Sequence, residues 1–120
     1  MGGLISLNLC KWYPGVFGMC MAMSPSLWWD GEFFLRDIGK KQGWLNTVKV
    51  WLDMGHHEGH ARPTQRAGLS RARRLAESLR VAGLERAGRL RYVEDEIGGH
   101  DERAWGARFG GALKWLFGND

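Results

Sequence analysis

Three short apolar runs, each closed by a loop and followed by helical periodicity, limit what this chain can fold into. They are Gly18 to Ser24, Val48 to Met54 and Leu90 to Glu94. The first is continuously apolar, as suits a strand buried on both faces of a parallel sheet. The second is β-branched at its start, and the third carries Leu90, Tyr92 and Val93. Between them lie helical patterns. Met1 to Trp12 presents Leu4, Ile5, Leu7 and Leu9 and is stopped by Pro14-Gly15. Glu32 to Lys41 forms a short helix through Phe33, Leu35 and Ile38. Gln65 to Ala82 carries Leu69, Ala72, Leu75, Ala76 and Leu79 on one face and meets Gly83 at its end. The last helix runs to about Phe117, with Trp105, Phe109, Leu113, Trp115, Leu116 and Phe117 at helical spacing. Strict alternation of this kind predicts an α/β fold: three parallel strands alternating with four helices, joined by right-handed crossovers.

A hydrophobic content of 44% with seven tryptophans excludes a disordered chain. It points to a core larger than 120 residues easily close over. The net charge of +4 comes largely from scattered arginines. Arg71, Arg73, Arg74 and Arg80 share a helix whose Leu75 and Leu79 face inward, and no aromatic residues alternate with them. That is a solvated helix face rather than a nucleic-acid surface. Cys10 and Cys20 each sit among apolar residues and read as buried free thiols, which fits a reducing, cytoplasmic setting. No apolar run reaches membrane-spanning length, and no charged region precedes the N-terminal apolar stretch, so neither a membrane partner nor a signal peptide is expected.

Parallel strands bring three loops to one edge of the sheet, where open α/β sheets place their chemistry. Ser24 to Asp30 is aromatic, Gly55 to His60 offers a carboxylate, and Gly98-Gly99-His100 offers an imidazole on what reads as a glycine turn. A carboxylate beside an imidazole fixes its tautomer and stabilises the imidazolium that forms in acyl transfer. Taken alone, the tripeptide also reads as a surface turn with an incidental histidine. His56 and His60 have the i, i+4 spacing of helical metal ligands, but Gly55 and Gly59 argue against a helix there, so no metal or other cofactor is expected. Asp101 and Glu102 suit a helical first turn. Ser6, Ser24, Ser26 and Ser70 do not sit on a sharp strand-to-helix turn and are poor nucleophile candidates.

Met1-Gly2-Gly3-Leu4 resembles the second half of the α/β-hydrolase nucleophile elbow, Gly-X-Ser-Met-Gly-Gly. The likeness continues through Tyr13 to Gly18 and Ala22 to Asp30, through Asp53-Met54-Gly55-His56-His57-Glu58, and through Gly98, Gly99, His100 and Trp105. Together these segments are similar to the esterase family that includes esterase D, enterochelin esterases and feruloyl esterases. The resemblance implies a serine carboxylic-ester hydrolase with His100 as general base and acid and Glu58 as the triad acid. Asp53, on the strand itself, is the weaker candidate for that acid. The Met1 N–H would serve the oxyanion hole, and Trp28, Trp29 and Trp105 would line the acyl or alcohol pocket. It also places the nucleophilic serine, and the first half of the sheet, before Met1. Residues 1–120 are then a single C-terminal segment of a partial α/β-hydrolase, acting on a small-molecule ester once completed. The alternative is a non-catalytic fragment or pseudoenzyme serving as an interaction module. In either case the strand at Met19 to Met23 is an apolar, uncharged, proline-free edge, which predicts self-association.

Overall fold

The computed structural model describes residues 1–38 and 43–118. Within them Met19–Met23 forms β1, Lys49–His57 forms β2 and Leu90–Gly99 forms β3. The helices are α1 (Gly2–Trp12), α2 (Trp29–Asp37), α3 (Arg62–Val81) and α4 (Glu102–Phe117). All strands are parallel, in the order β1-β2-β3, with Cys20 opposite Val50 and Val50 opposite Leu90. The α/β alternation expected from the sequence is therefore the observed one.

Side-chain alternation along the strands sorts the core into two layers. Cys20, Ala22, Val50 and Leu52 face α1 and α3, where Leu7, Leu75 and Leu79 are fully buried, as is Leu84 just after α3. Trp51 faces the other way and packs with Ala112 and Leu116 of α4, flanked by Met21 and Met23. Tyr92 and Met54 join Leu69 and Ala72 of α3 in a third, smaller cluster. Cys10 and Cys20 are buried free thiols, and Cys10 Sγ donates to the Met19 carbonyl at 3.4 Å. No helix among the described residues is long and apolar enough to cross a membrane.

Several element ends differ from the sequence pattern. β2 and β3 extend past Met54 and Glu94, so His56, His57, Gly98 and Gly99 lie in strand rather than loop. α3 starts at Arg62, with Pro63 in a first turn whose N–H groups have no helical partner in any case. α2 begins at Trp29 and passes through left-handed backbone at Asp30, Gly31 and Glu32. The expected end of that helix at Lys41 lies outside the described residues. A 3₁₀ turn at Gly43–Asn46, which no periodicity in the sequence announces, buries Trp44 and Leu45.

Two helix faces also differ from expectation. α1 buries Leu4, Leu7, Cys10 and Lys11, while Ile5 is exposed. The ammonium of Lys11 pairs with the Asp37 carboxylate and donates to its carbonyl at 3.2 Å, so its burial is compensated. On α4 the buried stripe is Ala104, Arg108, Ala112 and Leu116, and Phe109, Leu113 and Phe117 face solvent. Trp51 packs with Ala112 and Leu116 on this face, so part of the space between sheet and helix is filled from the sheet side and a small residue, Ala112, suffices opposite it. At the far end of α4, Lys49 Nζ donates to the carbonyls of Trp115 (2.9 Å) and Leu116 (3.2 Å), satisfying groups that a helix end leaves open.

Candidate active site

The three strand ends converge as parallel pairing requires. Ser24 directly succeeds β1, Glu58 succeeds β2, and His100 succeeds β3. Between Gly55 and His57 of β2, β3 carries Glu96, Ile97 and Gly98 opposite the single residue His56. Such a bulge re-aims the residues beyond it, and here it delivers His100. Asp95 ties the bulge down: Oδ1 accepts the Ile97 N–H at 3.2 Å and Oδ2 accepts Arg108 Nη1 at 2.9 Å.

Close approach, not an unusual backbone angle, explains the glycines. Gly98 and Gly99 have no positive φ. A Cβ on Gly98 would strike the Asp95 carboxylate and lie 2.8 Å from Arg108 Nη1, and one on Gly55 would overlap the Gly98 carbonyl. The glycine turn expected at 98–99 is thus a strand end squeezed against its neighbours.

At the centre, His100 Nδ1 and Glu58 Oε1 are 2.7 Å apart. The other carboxylate oxygen, Oε2, accepts the Gly55 N–H at 2.7 Å and a hydrogen bond from Ser24 Oγ. Glu58 is buried and His100 is half exposed. An acid holding donors on both oxygens acts as an acceptor, which puts the His100 proton on Nδ1 and leaves Nε2 free to take another. Trp105 stands edge-on to the imidazole, its ring centroid 4.8 Å away. The Asp101 side chain caps α4 through the Ala104 N–H at 2.8 Å, fixing the helix start beside His100.

Beneath this pair lies a second network. Arg108 Nη2 donates to Ser24 Oγ (3.0 Å) and to Asp53 Oδ1 (3.1 Å). Asp53 also accepts the Ser24 N–H (3.0 Å) and Trp51 Nε1 (2.8 Å). Burial opposes the charge on Arg108, but Asp53 and Asp95 outweigh it and raise its pKa above the ordinary value. Burial likewise pushes Asp95 up, and the Arg108 guanidinium and backbone N–H donors outweigh it and hold the carboxyl below the usual range.

A cavity of about 530 Å³ opens over the strand ends, lined among others by His100, Glu58, His57, His60, Trp28 and Arg71. Of the residues singled out from the sequence, His100 and Glu58 are brought into contact and Trp28 lines this cavity. Trp29 does not line it and is half exposed, and Trp105 packs on the imidazole instead. Met1 is the cap position of α1 and is not part of the lining. Gly3, however, packs against Met23 and Pro25, so the start of α1 lies beside the end of β1. Asp53 has its carboxylate committed to Ser24, Trp51 and Arg108. His56 bonds Glu94 at 3.0 Å, and no group of three or more candidate ligands among the described residues could hold a metal ion. Sequence pattern misses Ser24, Arg108 and Asp95 as supports of the site. The available signal is a lone arginine between two alanines, Ala104 and Ala112, at helical spacing.

The parallel sheet thus brings a carboxylate and an imidazole into contact at its strand ends. The chain belongs to the esterase family described as "Putative esterase", whose model matches residues 1–116. It is also similar to the uncharacterized protein YbbA of Bacillus subtilis (strain 168), with 28% identity over 129 aligned positions. That alignment covers 100% of this chain and 47% of YbbA, so the chain spans about half the length of this curated relative.

Proposed function

We propose that this chain is the part of a serine carboxylic-ester hydrolase that carries the general base and its acid, His100 and Glu58. The nucleophilic serine would come from a segment of the complete protein ahead of Met1. The observation that carries this reading is the 2.7 Å contact between His100 Nδ1 and Glu58 Oε1 at adjacent strand ends. Nε2 of His100 takes the serine proton as the oxygen attacks the acyl carbon. It then returns that proton to the departing alcohol, and a water molecule repeats the sequence to release the acid. Glu58 stabilises the imidazolium in both halves. The Met1 N–H comes directly after the serine in this scheme and donates to the developing oxyanion. Trp28 contributes apolar surface to the cavity for a small-molecule ester, and the motifs resemble those of the esterase D, enterochelin and feruloyl esterases. Free buried thiols fit a reducing, cytoplasmic setting.

The test is hydrolysis of p-nitrophenyl esters by the complete protein. His100→Ala abolishes turnover, and Glu58→Ala lowers it by several orders of magnitude, as removal of triad members typically does. A folded, complete protein without esterase activity would instead favour the reading of a non-catalytic interaction module. By itself the 120-residue chain is expected to leave a fluorophosphonate probe unreacted. Its Ser24 hydroxyl is committed to Glu58, on the side of the acid away from His100.

A further inference from the structure

Ser24 stands in a backbone conformation that serine disfavours, with φ 45°. Its N–H donates both to the Asp53 carbonyl (3.1 Å) and to Asp53 Oδ1 (3.0 Å), which hold it there. Glycine would take this backbone without strain, so the backbone does not account for a hydroxyl at this position. Three groups surround it: Glu58 Oε2, Arg108 Nη2 at 3.0 Å and Trp105 Nε1 at 3.3 Å. Guanidinium and indole nitrogens only donate. Ser24 Oγ therefore accepts from both, and its single proton is left for Glu58. A hydroxyl that accepts from two donors is itself a better donor. With the Gly55 N–H, it pins Oε2 from two sides and leaves Oε1 to His100.

We propose that Ser24, oriented by Arg108 and Trp105, is the positioning residue that locks Glu58 and thereby sets the His100 tautomer. The proposal rests on the Glu58–His100 pairing of the function above. It assigns a purpose to the buried Asp53–Arg108 pair as well. That pair holds the Ser24 backbone and hydroxyl from two directions.

The test is the tautomer of His100, read by long-range ¹⁵N–¹H NMR on this chain at a pH where the ring is neutral. The wild type is expected to show the proton on Nδ1. Ser24→Gly suits the backbone and removes the hydroxymethyl group, and it is expected to shift His100 toward the Nε2–H form. His57 and His60 line the cavity, and the Ser24 hydroxyl bonds to Glu58, Trp105 and Arg108 instead, so both histidines stay unchanged as internal references. In the complete protein the same variant lowers kcat by about 10²-fold with KM unchanged, the size of loss expected from a misplaced catalytic group. A folded Ser24→Gly with an unaltered His100 tautomer overturns the proposal. So does a Ser24→Gly that fails to fold, because the hydroxyl would then serve the fold instead. A wild-type His100 lacking the Nδ1 proton sinks the acid–histidine pairing and this proposal together. Absence of esterase activity in the complete protein sinks the function alone and leaves the tautomer result standing.

Discussion

Arg108 and Asp53 form an ion pair whose side chains are 6% and 0% exposed, with Nη2 3.1 Å from Oδ1. Removing one partner of such a pair leaves a buried charge uncompensated, at a typical cost of about 3–5 kcal/mol. Asp53→Ala is therefore expected to destabilise the fold by about that amount, moderated by Asp95, which still faces Arg108. Urea denaturation checks it. A loss of turnover in a well-folded Asp53→Ala complete protein far beyond the roughly 10²-fold expected from a misplaced Ser24 would instead make Asp53 the catalytic acid.

Glycines in this chain divide by what surrounds them. At Gly98 a methyl group meets the Asp95 carboxylate and the Arg108 guanidinium, so Gly98→Ala should cost about 1–3 kcal/mol, as overpacking does. At Gly106, inside α4, nothing lies within 4 Å of an added Cβ. Gly106→Ala should then stabilise by about 0.5–1 kcal/mol through helix propensity. Thermal unfolding of the two variants should move in opposite directions.

Glu94 predicts an acid-dependent step in stability. The bidentate Arg73 guanidinium lowers its carboxyl most. Burial opposes this, and donors from Tyr92 and His56 assist, leaving a pKa of about 2. Because the folded value lies below the unfolded one, the stabilisation is complete above about pH 4.3 and fades as pH falls toward 2. Arg73 is 58% exposed, so solvent screening limits the effect to about 1 kcal/mol or less. The unfolding temperatures of wild type and Glu94→Gln should converge as the pH is lowered from about 5 to about 3.

Among the described residues β1 pairs only with β2, and Trp12, Tyr13, Phe17 and Met19 are exposed around it. A free parallel edge beside apolar surface recruits other chains. This chain alone is expected to self-associate, with Met19→Lys weakening the association. Sedimentation velocity at tens of micromolar, roughly the range of such contacts, would contradict this by showing a monodisperse monomer.

The strands and helices are legible in the sequence because apolar runs and i, i+4 spacing report burial directly. The meeting of His100 and Glu58 is a consequence of parallel order. The α4 face is not legible, because hydrophobicity alone does not say which residues touch the sheet. Ala112 goes in because Trp51 has already taken the volume opposite it. Ser24 reads in the sequence only as a poor nucleophile. Its part in the site depends on Arg108, 84 residues away in sequence, and no local pattern links the two.

Lys49 grips the last carbonyls of α4, while Asp101 caps its first turn and Arg108 fastens its middle to the sheet. A helix fixed at three points does not fray from one end. Amide hydrogen exchange along α4 should therefore collapse to one common rate set by a shared opening event. Trp105 and Arg108 would then leave His100 and Ser24 at the same moment. Heating would switch the site off in a single step rather than wear it away.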